Sequence, residues 1–293
     1  MKKPITIKEY LCERLAPQSA DNYLYTINNF IKTHPKAKKY KYQNLVNFLA
    51  DVRQRYPKNI QTSIRIMAAI KKYYDYLIFI GERNDHPCQK LTLKKGSDQS
   101  IQLQDLFSSQ ELELLLQREN RYRHLENRNK VLISLLIYQG LTSDELIRLD
   151  TDNIDLDNGT VCVKGSSKLN RRTLKLDSTQ ILLFDRYVNQ TRGEMMKRVA
   201  GKTNKLILNK LGQPISVEGI FAIIEVLNQL FPDRKLNPRS IRMSVISNWM
   251  NEKKLPLESV QELAGHKWPS TTEKYRKMDN LKQRELINRF FPI

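Results

Sequence analysis

Leu263-Ala264-Gly265-His266-Lys267-Trp268-Pro269-Ser270-Thr271-Thr272-Glu273-Lys274-Tyr275 sets one histidine nine residues ahead of one tyrosine. Gly265 allows a tight turn after a short apolar segment, because it has no Cβ to clash at positive φ. Pro269 stops a helix from running through that turn, and Ser270 or Thr271 is placed to cap a new helix that carries Tyr275. Trp268 reads as a packing side chain. Taken alone, Tyr275 would be an ordinary residue at the edge of a core, so its meaning depends on the flanking chain.

Working outward, the segment Pro238–Asn251 reads as a helix bearing Arg239 and Arg242, three residues apart and so on one face. Further helices are expected at about 178–200, 217–230, 257–263, 271–278 and 281–290. Before them the hydrophobic period changes from helical to alternating. Ile154 and Leu156, the Asp157-Asn158-Gly159 turn, Thr160–Val163 and a return strand Arg172–Leu176 predict a small antiparallel sheet. Its second turn, Lys164 to Asn170, is basic. Ahead of the sheet, Leu125–Gln139 is apolar enough to be a buried helix ended by Gly140. Thr142 with Glu145 forms a capping box opening a short helix. Ser108 or Ser109 caps the first helix of this half.

The N-terminal part predicts four amphipathic helices, at Ile7–Leu15, Gln18–Lys32, Tyr42–Tyr56 and Ile60–Ile80, the last stopped by Gly81. Inward positions are Tyr23, Ile27, Phe30 and Ile31 on the second, Leu45, Val46, Leu49 and Val52 on the third, and Ile60, Ile64, Met67, Tyr74, Leu77 and Ile78 on the fourth. Such a set makes a small bundle. Residues 84–107 are polar, with Pro87 and Gly96, and read as a linker. The domains are therefore 1–83, a helical bundle, and 108–293, a mixed domain. The fold class is mainly α with a small antiparallel β-sheet.

Lys and Arg number 50 against 31 Asp and Glu, a net charge of +19. That excess creates a positive field suited to a nucleic acid. No apolar run approaches the roughly 20 residues of a membrane-spanning helix, and no signal segment follows the N-terminus, so a cytoplasmic, nucleoid-associated protein is expected. Cys12, Cys88 and Cys162 are scattered, without the spacing of a disulfide framework or a zinc site. Lys38, Lys39, Lys41, Arg65, Lys71 and Lys72 on the bundle, with Arg171 and Arg172 on the hairpin, are the expected phosphate contacts.

Together these landmarks resemble the tyrosine recombinases, the family of integrases, Xer and Cre. Leu263-Ala-Gly-His266 followed by Tyr275 is similar to that family's L-G-H…Y box. Arg239-Ser-Ile-Arg242 is similar to its H-x-x-R box, with arginine for the first histidine. The Lys164–Lys168 turn resembles the hairpin that carries the family's lysine, with Lys168 chosen and Lys164 in reserve. One position departs from the pattern. Gly140-Leu141-Thr142-Ser143-Asp144-Glu145-Leu146 has Thr142 where the family has its first arginine, and threonine cannot clamp a phosphate bidentately.

The resemblance implies a core-binding (SAM-like) bundle, a catalytic domain, and DNA cleavage and rejoining through a 3′-phosphotyrosyl bond, without metal, nucleotide or other cofactor. It implies Tyr275 as nucleophile, Arg242 on the phosphate, His266 either on a non-bridging oxygen or assisting proton removal from Tyr275, Lys168 as general acid, and double-stranded DNA with paired sites as partner. Arg239 is the expected substitute for the missing arginine, with Arg148, Arg171 and Arg172 behind it. The C-terminal segment, with Leu286, Ile287 and Phe290, is expected either to dock onto a neighbouring subunit and so join four protomers, or to dock onto the chain's own core. A chain that opens on the bundle fits a simple two-domain recombinase of a mobile element or of chromosome maintenance. A degenerate, non-catalytic DNA-binding protein and a hairpin-forming telomere resolvase are the rival readings.

Overall fold

The computed structural model describes residues 5–57, 59–93, 105–118, 123–197 and 201–276. The chain divides into two compact units, Met1–Gln99 and Ser100–Ile293.

In the first unit, among the described residues, four α-helices form the bundle: α1 (Ile7–Arg14), α2 (Pro17–Thr33), α3 (Tyr42–Arg55) and α4 (Ile60–Phe79). Local chemistry sets the ends of three of them. Thr6 and Glu9 cap α1 reciprocally, Pro17 stands at the first turn of α2, and Asn59 caps α4 by accepting from the Thr62 amide. Leu11, Ile27, Leu45, Ile70, Tyr74 and Leu77 are buried at its centre. Ile31 and Ile78, expected inside, are each 37% exposed. On α4 the buried stripe runs Ser63, Met67, Ile70, Tyr74, Leu77. Apolar residues on both sides of that stripe make its angle ambiguous to periodicity alone.

The expected linker is shorter than 84–107. Cys88 is fully buried in the bundle core, and Leu91 and Leu93 pack on it. Arg83 donates to the carbonyls of Lys38 and Tyr40. Phe107, at the other end, is buried in the second unit and its amide donates to Ser244 Oγ. A few apolar residues in a polar stretch are enough to fold both ends onto their neighbours.

The second unit starts with α5 (Ser109–Glu113), capped by Ser108 as expected, and α6 (Arg123–Ile137), whose Val131, Leu132, Leu135 and Leu136 are fully buried. Then come α7 (Ser143–Arg148) and strands β1 (Ile154–Asp155), β2 (Thr160–Val163) and β3 (Arg172–Lys175). The sheet order is β1-β2-β3, antiparallel, with Val161 opposite Leu174 and Val163 opposite Arg172. Helices α8 (Ser178–Arg186) and α9 (Arg192–Met196) are joined by a π-helical turn, Tyr187–Thr191. Next are α10 (Val217–Glu225), α11 (Pro238–Asn251), α12 (Leu257–Ala264) and α13 (Pro269–Glu273). The expected cap at Ser270 or Thr271 is displaced: Trp268 is the N-cap and Pro269 the first helical residue. Proline fits there because its missing N–H would have no helical partner anyway. The expected helix 281–290 lies outside the described residues. Among the described residues no helix is long and apolar enough to cross a membrane.

Candidate active site

The site gathers around Glu145. Thr142 caps α7 and Glu145 reaches back to it, so Glu145 Oε2 accepts from the Thr142 amide at 2.9 Å and its hydroxyl at 3.0 Å. The same carboxylate receives Arg172 of β3, with Nη1 at 2.6 Å from Oε1. Both side chains are almost wholly buried, at 2% and 1% exposure. Burial pushes the Glu145 carboxyl up, but the Arg172 hydrogen bonds and charge, the Thr142 amide and the Arg242 charge together outweigh it and leave it below the usual range. Arg242 Nη1 stands 3.9 Å from the other oxygen. One buried carboxylate thus lies between two guanidinium groups, and the three together keep one net positive charge.

Arg242 is fixed by backbone. Its guanidinium donates to the carbonyls of Gly140 and Ala264. Gly140 presents its carbonyl from a left-handed turn at φ +59, with Val245 and Trp249 packed 3.2 and 3.3 Å from where a Cβ would be. Arg172 Nε donates to Leu263 O at 2.8 Å, so two arginines hold the end of α12 from which His266 emerges. Gly265 sits between them at φ +69, and a Cβ there would lie 2.6 Å from Arg172 Nη1. The glycine is required twice over, by its dihedral and by the guanidinium.

His266 is 6% exposed and its Nδ1 lies 2.8 Å from the Thr272 hydroxyl. The hairpin turn is stitched to it: Leu169 pairs with His266 as an isolated β-bridge, and the Asn170 amide donates to Gly265 O. Burial, then the nearby Arg242 and Arg172 charges, push the His266 pKa down to about 4. The imidazole is therefore neutral at pH 7, with one nitrogen on Thr272 and Nε2 left to meet a ligand. An unfolded chain protonates this residue near 6.5 and the folded chain near 4. Stability should therefore fall as pH drops through that window, by up to roughly 3 kcal/mol. Urea denaturation should show this part of the slope flattened in His266→Gln; an unchanged slope would assign the acid sensitivity elsewhere.

Tyr275 is 9% exposed, with its ring alongside His266 at 6.2 Å between centroids and 20° between planes. Asn251 Nδ2 donates to its carbonyl at 2.8 Å. Burial raises its phenol pKa, and the Arg242 and Arg239 charges pull in the opposite direction. Tyr275, Arg239, Arg242 and Thr142 line one cleft. A second, sharing Thr142 and Arg242 with the first, has a volume of about 350 Å³ and is lined by Arg148, Lys168, His266, Lys267 and Trp268 among others. Thr142 and Arg242 contribute to the walls of both hollows.

The lysine choice has a structural counterpart. Lys164 Nζ is held by Asp150 at 2.8 Å, which also binds Lys205, whereas Lys168 lines the cleft beside His266. Arg239 is exposed and, among the described residues, has no carboxylate partner. Arg148 lines the cleft and donates Nε to Asp144 O. Arg171 is exposed and points Nη2 at Cys162 Sγ, 3.6 Å away.

Arg172 corrects the sequence reading. It is not a surface cation for phosphate but the buried partner of Glu145, because β3 alternates and places position 172 inward. Trp268, expected to pack, is 70% exposed. Along the sequence Glu145 is legible only as a cap: a capping glutamate five residues past the Gly140 helix stop carries no sign of a second partner. On the bundle, Lys39, Lys41 and Arg65 are exposed, while Lys38 pairs with Glu82, Lys72 with Asp75, and Lys71 donates to Gln89 O. Among the described residues no group of three or more His, Cys, Asp or Glu side chains could hold a metal ion.

The phage integrase family model matches residues 106–282. A tyrosine recombinase XerD of Staphylococcus haemolyticus is 29% identical over 191 residues, covering 65% of this chain and 63% of the relative. A XerD of Listeria monocytogenes is 24% identical over 250 residues, covering 85% and 82%. Among solved structures, a XerH site-specific recombinase bound to palindromic difH substrate superimposes with a TM-score of 0.71 at 21% identity, over 92% of this chain and 79% of that one. The Tn1549 transposon integrase with transposon right end DNA gives 0.65 at 11% identity, over 96% and 98%. With the fold, the family model and the tyrosine-centred cleft in agreement, the chain belongs to the phage integrase family of tyrosine recombinases.

Proposed function

We propose that this protein is a site-specific recombinase that cleaves and rejoins double-stranded DNA, with Tyr275 as its nucleophile. The phenol oxygen attacks the scissile phosphorus, the bond from phosphorus to the 5′ oxygen breaks, and a 3′-phosphotyrosyl ester remains. The ester conserves the phosphodiester energy, so a second 5′-hydroxyl can reverse the step on another strand without ATP. The observation that carries this reading is that Arg242 lines two hollows, one also lined by Tyr275 and the other by His266 and Lys168.

The roles follow from charge and position. Arg242, immobilised by two carbonyls, faces the non-bridging oxygens, where negative charge grows in the transition state. Neutral His266 donates from Nε2 to one of those oxygens. The Lys168 ammonium gives its proton to the departing 5′ oxygen, a poor leaving group unless protonated. Thr142 leaves a gap that Arg239 fills from the Tyr275 side of the cleft. Arg239→Ala should slow cleavage about 10²–10³-fold, the loss of one transition-state donor. An Arg239→Ala protein that cleaves as fast as the parent, with Arg148→Ala slow, would move the role to Arg148. Lys39, Lys41 and Arg65 contact the DNA backbone, and four protomers joined through Leu281–Phe290 act on two paired sites, in integration or excision of a mobile element.

The test uses a nicked duplex carrying a site recovered by selection from random DNA. A covalent protein–DNA band, with the nucleotide mapped to the peptide containing Tyr275 by mass spectrometry, is the expected result. Sequence-specific binding with no covalent band would identify a non-catalytic DNA-binding protein instead. A hairpin product would identify a resolvase.

A further inference from the structure

We propose that Trp268 is a stacking platform for a nucleobase next to the scissile phosphate. The proposal rests on the DNA-cleaving reading of the same cleft and adds the contact that holds the strand beside the break.

The chain has two tryptophans. Trp249 is 7% exposed and belongs to the core, whereas Trp268 is 70% exposed. A large aromatic face in water beside a polar cleft offers a stacking surface to a partner with a π-face of its own. The surroundings select which. Trp268 lines the cleft with Arg148, Lys168, Arg242 and Lys267, against a single acidic side chain, Asp144. Four cations to one anion attract a polyanion and repel a basic surface. A DNA strand drawn in by its phosphates brings bases within reach of the indole, and every base has a π-face.

The platform is held rigidly. On one side His266 is fixed by its β-bridge to Leu169 and its contact with the buried Thr272. On the other, Pro269 opens α13 and the Thr271 amide donates to Trp268 O at 3.0 Å. Only the two side-chain torsions of the indole remain free, so little entropy is lost on stacking. Seven residues separate it from Tyr275 along the same turn and helix.

The reaction itself creates the need. Cleavage leaves a nick, and a strand that is to be exchanged must come away from its complement there. A base released from its own stack loses its neighbours' π-faces, and the indole replaces one of them. Trp268 therefore acts on unpaired or nicked DNA more than on an intact duplex.

The test compares the parent protein with Trp268→Ala, Trp268→Phe and Trp249→Phe. The probes are a fluorescein-labelled duplex of about 30 base pairs, the same duplex with a short central bubble, and its single strand. Bubble and single-stranded DNA should quench the tryptophan emission of the parent and of Trp249→Phe, and leave that of Trp268→Phe unchanged. Trp268→Ala should weaken bubble binding roughly 5- to 150-fold, the equivalent of about 1–3 kcal/mol per stacked base. It should change intact-duplex binding little, and Trp268→Phe should recover most of the loss. Bound bubble DNA that leaves emission unquenched, or a Trp268→Ala effect equal on all three probes, overturns the stacking role. A parent protein that binds none of the probes overturns the DNA reading as well, a separate and recognisable failure.

Discussion

Tyr275→Phe should fold like the parent, bind DNA with unchanged affinity and form no covalent adduct. Its phenol oxygen makes no hydrogen bond among the described residues, so removing it leaves no buried partner unsatisfied. The ring, buried to 9% exposure and lying alongside His266, is retained in phenylalanine. Stability measured by urea denaturation should therefore change by less than about 1 kcal/mol. What disappears is the atom that bonds to phosphorus, and no neighbouring group replaces it. The nicked duplex should give no covalent band above background. A persistent adduct in this variant would place the nucleophile elsewhere and remove the basis for the cleavage mechanism. Because affinity is governed by phosphate contacts, salt-dependent binding should be the same for both proteins.

Arg172→Met should lose about 3–5 kcal/mol of folding stability, the usual result of leaving one partner of a buried ion pair uncompensated. Glu145 would keep the Thr142 hydrogen bonds and Arg242 at 3.9 Å, too far to replace a 2.6 Å contact. The Arg172 bond to Leu263 O would go too, loosening the end of α12 that presents Gly265 and His266. A double variant, Arg172→Met with Glu145→Leu, should recover a good part of the loss, since no unpaired buried charge remains. If the single variant were as stable as the parent in denaturant titrations, the Glu145 site would have to be far more hydrated than its burial indicates. The carboxyl lies below its usual range in the folded protein, so the pair stabilises above the carboxylate titration. That contribution is lost as pH falls through the lowered value.

Much of the fold was legible because its signals are local. The α11 boundaries, Pro238–Asn251, follow from a capping asparagine before a proline and from the residues after it. The capping box from Thr142 to Glu145 is a four-residue pattern, and it forms as the sequence reads. The β2–β3 hairpin followed from alternation on either side of a polar turn, and its register brings Val163 opposite Arg172. Inward angle was less secure: Ile78 and Leu77 are neighbours in sequence, and only packing decides which is covered. The linker was misjudged for a related reason. Its polar composition is real, but Cys88 and Phe107 are single apolar anchors whose cover comes from distant helices.

The candidate site divides in the same way. The residue types and spacing of Arg242, His266, Lys168 and Tyr275 can be read along the chain, as can the absence of arginine at position 142. Their relation to one another cannot. Arg172 meets a carbonyl 91 residues away and Arg242 one 102 residues away, distances over which sequence carries no geometric information. Which lysine is tied to Asp150 and which faces the cleft, that Arg172 is buried rather than offered to phosphate, and that Trp268 stands in solvent were all decided by tertiary packing. The sequence by itself determined the helical and hairpin elements, the basic charge and the set of reactive side chains, because these depend on neighbours within a few residues. Only the folded chain decided which of those side chains share a cleft and which neutralise one another, because burial and charge pairing are properties of contacts between distant segments.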